Sequence, residues 1–447
     1  MNYDAAVRYL LSLGRELAAP TQAAAAKFDL ENIAVLSERL GRPDRACPSA
    51  HIAGTNGKGS TAAFLESILR QAGFHTGLNT SPHLEKINER IRVDGVEISD
   101  SDFAKTLTRI QSVIEELLAA GQLRAHPTYF ECVTAMAFQY FAEARADFAV
   151  FEVGLGGRLD ATNILIPVVS LISRIDFDHE NFLGHSLREI AGEKAGILKK
   201  GVPVVVAEQR PEAREVILRR TQELGCTVVE VPVSYRVDHE SLTNGCVRAQ
   251  ITEISTGWSA TLALPLPGRF QLGNALTALA AARTLVARGY RIAGDAIEQG
   301  IAAAVWPGRL EQLQSRPDIY VDGAHNPGAA RELAAFWKEN FAGGKIFLLY
   351  GALRDKAVDE IAGLLFPLAA EVVFTEPRTS RAISAAQLSE IAAHHAGQSS
   401  VIADAEQALD YLVSKARPED AIFVTGSLYL VGQLRHYWKQ RAQVAAG

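Results

Sequence analysis

Short apolar runs alternate along this chain with longer stretches of helical period, almost from end to end. The runs at Ala50–Ala53, Phe148–Val153, Val168–Ser173 and Val202–Val206 read as buried strands. So do Ile319–Val321, Lys345–Tyr350, Glu371–Thr375 and Ala421–Thr425. Between them the apolar positions recur every three or four residues; in Ser60–Ala72, Leu65, Ile68, Leu69 and Ala72 share one helical face. Such alternation predicts parallel sheets covered by helices, an α/β architecture. From about Val229 to Leu266 the period shortens, and "VRAQITEIS" after the turn "TNGC" predicts a small antiparallel patch. After a helix around Gly273–Ala287, "AAAVWPGRLEQLQSRPD" introduces proline and glycine breaks before a fresh strand–helix series. A domain boundary is therefore expected near residues 298–308, dividing the chain into 1–300 and 301–447.

One helix breaks its own pattern. In "SLREIAGEKAGILKK", Ser186 followed by Glu189 is a capping-box start. Counting on from Leu187, the apolar face runs through Ile190 and Ala191 to Lys194, then Ile197 and Leu198. Glu193 falls to one flank, and Lys199 and Lys200 are expected to point away. An ammonium group on an apolar stripe needs an explanation beyond a lysine snorkelling from the helix edge.

Composition narrows the class. The chain has 447 residues, enough for two or three domains, and 48% apolar with 21% charged residues can bury a sizeable core. A net charge of −6 argues against general nucleic-acid binding, though not against a basic pocket for an anionic substrate. Cys47, Cys132, Cys226 and Cys246 show no metal-ligand spacing, which suits reduced thiols in a cytoplasm. "MNYDAAVRYLLSLGRE" has no uninterrupted apolar core, and no run is long enough to span a membrane, so a soluble cytoplasmic protein is expected.

The candidate chemistry gathers at three strand ends. "HIAGTNGKGST" leaves a strand and opens a helix, the setting in which backbone N–H groups wrap phosphates. It lacks the first glycine of the standard phosphate loop, and Gly59 rather than a hydroxyl follows Lys58, so a metal would be completed from elsewhere. Glu152 closes the strand "FAVFEVG", where an acid commonly serves a metal. Asp176, Asp178 and His179 follow the next strand in "LISRIDFDHE". All would lie at carboxyl ends of neighbouring parallel strands, where open α/β sheets bind ligands.

The set resembles folylpolyglutamate synthase, including its bifunctional dihydrofolate synthase form, within the Mur ligase superfamily. The motifs carrying it are "AGTNGKGS", "TSPHL" with "NERI", "TYFE", "FEVGLGGRLDATN", "DHENFLG", "EKAGI", "WPGRLE", "DGAHNP" and "TGSLYLVG", in order across most of the chain. The resemblance implies a P-loop ATPase-like Mur ligase central domain with a parallel sheet, then a smaller Rossmann-like α/β domain. It also implies an ATP-dependent amide ligase: ATP phosphorylates a substrate carboxylate, and the amine of L-glutamate attacks the acyl phosphate. Dihydropteroate or folates would be the other substrates. The protein would be a monomer, with no nucleic-acid or membrane partner.

By the same resemblance Gly54, Thr55, Asn56, Gly57, Lys58, Gly59 and Ser60 hold the ATP phosphates, and Arg309 and Asp322 reach ATP from the second domain, with His325 close by and Asn274 joining from the helix before the boundary. Ser81, Glu152 and His179 coordinate Mg²⁺, and a monovalent cation belongs to the cofactor set. Lys58, Glu152, His179 and Lys194 form the catalytic group. Lys194 matches a family lysine carboxylated on its side chain, which answers the question its helix poses: burial favours the neutral amine, and neutral amine reacts with CO₂. The substrate site draws on Phe28, Asp29 and Leu30, on Thr128, Tyr129, Phe130 and Glu131 of "TYFE", and on Leu159, Asp160 and Ala161. Asp160 would accept from the donor-rich edge of a pterin, or else brace the turn after the glycines. "TGSLYLVG" helps shape the glutamate pocket. His185 and Ser186 stand where the family has Asp or Asn and Thr; serine keeps the cap.

Two competing readings remain at this level. A cell-wall Mur ligase would carry an extra nucleotide-binding domain ahead of the phosphate loop, for which 53 preceding residues leave no room. A nucleotide-dependent switch would hydrolyse ATP without ligation and would need neither a carboxylated lysine nor a substrate-dependent second domain.

Overall fold

The computed structural model describes residues 1–14, 29–341 and 343–446; Phe28, named above, lies outside them. The first sheet has eight strands: β1 (Ser49–Ala53), β2 (Thr76–Asn79), β3 (Ile91–Val93), β4 (Val96–Glu97), β5 (Phe148–Glu152), β6 (Val169–Ile172), β7 (Val204–Val206) and β8 (Val228–Glu230). Their order is β4-β3-β2-β5-β1-β6-β7-β8, parallel from β2 to β8, with β3 and β4 added antiparallel at one edge. Every residue of β1, β5, β6 and β7 is buried, as expected for parallel strands covered on both faces.

The antiparallel patch is present as β9 (Tyr235–Thr243), β10 (Cys246–Glu253) and β11 (Ser259–Ala263), in the order β11-β10-β9. It starts later than the sequence suggests, because Val228–Glu230 pairs in parallel with β7 instead. Val247, Ala249 and Ile251 alternate inward from β10 and join one core with the helix Phe270–Ala287 and the first sheet. The third sheet comprises β12 (Glu311–Gln314), β13 (Asp318–Val321), β14 (Ile346–Tyr350), β15 (Glu371–Glu376), β16 (Ser399–Asp404) and β17 (Ala421–Thr425). Its order is β12-β13-β17-β14-β15-β16, parallel except for β12. The α/β architecture is therefore as expected, with a large parallel-rich sheet and a second, mixed one.

The helix after β1, Lys58–Gln71, departs from the one-faced pattern read above. It is buried continuously from Gly59 to Leu69, because the helices Phe270–Ala287 and Gly294–Ala302 cover the side turned from the sheet. Gly300 permits that approach: a Cβ there would lie 2.4 Å from the Ile68 Cα. The phosphate-loop helix is thus held from all sides, which fixes its N-terminus in space.

Candidate functional site

Strands β2, β5, β1 and β6 stand side by side, and the turns after all four meet at one edge of the sheet. After β1 the chain turns sharply at Gly54, where a Cβ would collide with the Ser173 hydroxyl of β6's end at 1.9 Å. Gly57 adopts φ 84°, and a Cβ there would sit 2.1 Å from the Asn274 side-chain oxygen. These two glycines let the loop lie flat against its neighbours and bring Asn274 over it. The N–H groups of the following first turn, at Lys58 to Ser60, are those an α-helix leaves without intrahelical acceptors.

Thr55 and Asn56 brace the loop. Both backbone N–H groups donate to the Arg174 carbonyl at 3.0 Å, and the Thr55 hydroxyl donates to the Asp176 carbonyl. The Asn56 amide exchanges two hydrogen bonds with Asn326. These donors hold the loop to the segment after β6 and to the third sheet's domain. Lys58 folds back, donating from Nζ to the carbonyls of Gly54 (3.1 Å) and Thr55 (3.3 Å).

Glu152 is buried at the end of β5 and accepts from the Ser81 backbone N–H at 3.1 Å. Burial pushes its carboxyl up, opposed by the Lys58 charge, the Ser81 bond and the charges of Arg309 and Arg90. A carboxylate desolvated to this degree suits a cation. His179 follows β6 with φ 51°, and burial drops its pKa to about 4, so the imidazole is neutral near pH 7 and able to ligate.

Lys194 lies where the sequence put it. Ser186 caps the helix Leu187–Ala195 with a complete capping box, and the Lys194 side chain is only 4% exposed. Its Nζ donates to the Gly54 carbonyl at 2.8 Å, the same oxygen that Lys58 reaches. Burial, reinforced by the Lys58 charge, lowers its pKa to about 7, against the opposing pull of Asp178 and Asp160. Lys199 was expected outside; it instead donates to the Asn163 backbone and side-chain oxygens (2.9 and 2.8 Å). The helix ends at Ala195, so helical spacing no longer places residue 199.

The third sheet offers its own strand ends to the same place. Asp322, after β13, accepts from the N–H groups of Leu310 and Ala324, and Arg309 lies over Gly323. Asn326 caps the helix Pro327–Asn340, so "HNP" is a helix start that also carries His325 toward Asp178, 3.4 Å away. Asp178 accepts from Lys356 Nζ (2.8 Å) and Asn326 Nδ2 (3.3 Å). Burial opposes its charge, but the His325 bond and the Lys356 charge hold its pKa well below the usual range.

Between the sheets opens a cleft of about 700 Å³ lined by Asp29, Phe130, Asp160, His179, His325 and Lys356 among others. Phe130 packs against the loop after β5, its ring 2.5 Å from where a Gly154 Cβ would stand. Its neighbours in "TYFE" have structural duties: Thr128 and Glu131 form the capping box of the helix Tyr129–Ala144, and Tyr129 enters the core below. Leu30 packs on that core too, and is not a wall of the cleft. Asp160 is engaged by its own loop: Oδ2 accepts from the Gly154 and Leu155 N–H groups, and Oδ1 from Thr162 N and Oγ1. The bracing role is therefore real, and Asp160 also lines the cleft between Leu159 and Ala161.

Residues 52–282 match the Mur ligase middle domain, and residues 308–428 the Mur ligase glutamate ligase domain. The chain is 36% identical over 417 residues to the dihydrofolate synthase/folylpolyglutamate synthase of Bacillus subtilis, covering 90% of this chain and 92% of that one. The chain belongs to the Mur ligase family, in its folylpolyglutamate synthase branch. Among solved structures, Mycobacterium tuberculosis folylpolyglutamate synthase complexed with ADP superposes with a TM-score of 0.88 at 32% identity, covering 98% of this chain and 99% of that one. E. coli FolC in complex with DHPP and ADP gives 0.86 at 32% identity, covering 99% of both chains.

Sequence reasoning missed several charged groups of this Mur ligase site, all from the second domain. Lys356 is nearly enclosed and bridges to Asp178; Arg381 pairs with Asp355 at 2.7 Å; Arg331 reaches Asp176 at 3.0 Å. Lys356 sits in "LRDKAVDE" between β14 and a helix, a strand-end position that could have flagged it.

Proposed function

We propose that this chain adds L-glutamate to dihydropteroate, giving dihydrofolate, and to tetrahydrofolate or its polyglutamates, using ATP. The observation that carries this reading is the convergence on one cleft of a phosphate loop, a buried acid beside Lys58, and cationic side chains from the second domain. A cytoplasmic monomer fits it, and among the described residues no helix is long and apolar enough to cross a membrane. Division into domains 1–300 and 301–447 follows the change of sheet.

The γ-phosphoryl group of ATP passes to the substrate carboxylate, forming an acyl phosphate and ADP. The amine of glutamate then attacks the acyl carbon; the tetrahedral adduct collapses, phosphate leaves, and the amide forms. The chain's part is positioning and charge neutralisation. The helix N-terminus at Lys58–Ser60 and the Lys58 ammonium meet the phosphates, with Arg309, Asp322, His325 and Asn274 enclosing the nucleotide. Lys356 and Arg381 offer positive charge where the carboxylates of incoming glutamate would lie. Glu152, the Ser81 hydroxyl and neutral His179 would hold Mg²⁺, a hard cation suited to the oxygen donors; it would neutralise phosphate charge. Lys194, buried with a pKa of about 7, is fitted to carry a carboxylate on Nζ, with Lys58 beside it as counter-charge.

Release of ADP by purified protein tests the ligase reading against a switch. Turnover should require dihydropteroate or a reduced folate together with L-glutamate; equal turnover without glutamate would overturn it. Asp160→Ala tests the substrate. Losing one acceptor that faces the pterin costs roughly 1–3 kcal/mol, or about one to two decades in kcat/KM. Dihydropteroate ligation should therefore fall far more than tetrahydrofolate extension, whereas a purely bracing Asp160 would depress both equally.

A further inference from the structure

His51 is the odd residue of β1. It is fully buried in the middle of a parallel sheet, where an apolar side chain would pack without desolvation cost. Its Nε2 lies 2.8 Å from the Thr162 hydroxyl, while Nδ1 is enclosed with no partner. The Thr162 hydroxyl donates its one proton to Asp160 Oδ1. It can then only accept from the histidine, which fixes His51 as the neutral tautomer protonated at Nε2. Burial supports neutrality by dropping the His51 pKa to about 3. The chain of bonds therefore runs from the strand that feeds the phosphate loop, through Thr162, to the Asp160 carboxylate that lines the cleft.

We propose that His51 and Thr162 are positioning residues for substrate choice: their relay locks the Asp160 carboxylate in the rotamer that meets the ring of a pteroate-type substrate. This rests on the reading of Asp160 as substrate-facing. Two observations set it apart from ordinary core packing. Thr162 Oγ1 is the only hydrogen-bond partner of the His51 imidazole among the described residues. Backbone N–H groups hold Asp160 Oδ2 twice and Oδ1 once, and the Thr162 hydroxyl adds to Oδ1 the single side-chain donor, the one that the His51 contact orients.

Thr162→Val keeps the side-chain shape and removes the hydroxyl; Thr162→Ser restores it. His51→Leu removes the donor from the other end. Steady-state constants for dihydropteroate, tetrahydrofolate, ATP and glutamate would be measured for each. Thr162→Val and His51→Leu should raise the KM for dihydropteroate roughly tenfold, the scale of one hydrogen bond to a charged group. The KM for ATP should hold, and Thr162→Ser should recover most of the loss. If Thr162→Val matches the serine variant, or if all four KM values and kcat move together, the relay is only structural and the proposal falls. Should His51→Leu fail to fold, the Thr162 pair decides alone. A changed substrate ratio in Asp160→Ala with none in Thr162→Val overturns the relay and spares the Asp160 reading; an unchanged ratio in Asp160→Ala overturns both.

Discussion

Replacing Lys194 by alanine is expected to abolish ligation while leaving the fold standing. The amine makes one hydrogen bond, to the Gly54 carbonyl, which Lys58 also serves. Losing it costs about 1 kcal/mol, and removing a desolvated amine offsets part of that cost. Activity is another matter, because Glu193, the other source of an anion in "EKAGI", is engaged with Arg158 on the helix flank. Short carboxylates such as formate or acetate should restore part of the turnover by occupying the vacated position. In the wild type, the neutral amine that captures CO₂ increases as pH rises through about 7, the pKa that burial gives Lys194. Carbamate formation should therefore grow across that range, visible by NMR with isotopically labelled CO₂. A fully active enzyme whose Lys194 amine stays unmodified would remove the idea.

Much of this was legible because the central parallel strands are buried on both faces. Buried strands must be continuous apolar runs, so β1, β5, β6, β14, β15 and β17 announce themselves. The strands that escaped notice are of two kinds. β3, β4, β8, β12 and β16 lie at or near sheet edges and are partly exposed, so no apolar run marks them. β2 is buried but reads "TGLN": Phe141 occupies the space above Gly77, where a Cβ would approach its ring at 2.7 Å. Packing there is supplied from elsewhere in the chain, which no local pattern records.

The site divides the same way. Residues at strand ends, such as Glu152, His179 and the turn after Gly54, could be placed because topology carries strand ends to one edge. What side chains do within a turn could not. Thr55 and Asn56 in "GTNGKGS" bond Arg174, Asp176 and Asn326, two of them far along the chain in sequence and one across the domain junction, which the motif does not show. Thr128 and Glu131 line the cleft, and they also form a helix cap that the pocket reading did not record. Lys356 pairs with an aspartate 178 residues away, a relation that only the docking of two domains creates.

The Lys58→Ala enzyme should fold normally and turn over ATP roughly a hundred- to a thousandfold more slowly, the usual loss when one stabilising donor of a charged transition state is removed. Circular dichroism would confirm the fold, since Lys58 contributes only two bonds to carbonyls of its own loop. The electrostatics predict a further change. Lys58 is the strongest charge opposing the burial of Glu152, so without it the carboxyl rises further above its already raised value. Residual activity in Lys58→Ala should then decline at a higher pH than in the wild type as acid is added, because Glu152 protonates sooner. Glu152→Gln, which cannot titrate, should lack that shift. Near-normal turnover in Lys58→Ala would withdraw the phosphate-loop assignment. A large loss with an unmoved acid limb would keep the loop but separate Lys58 from Glu152.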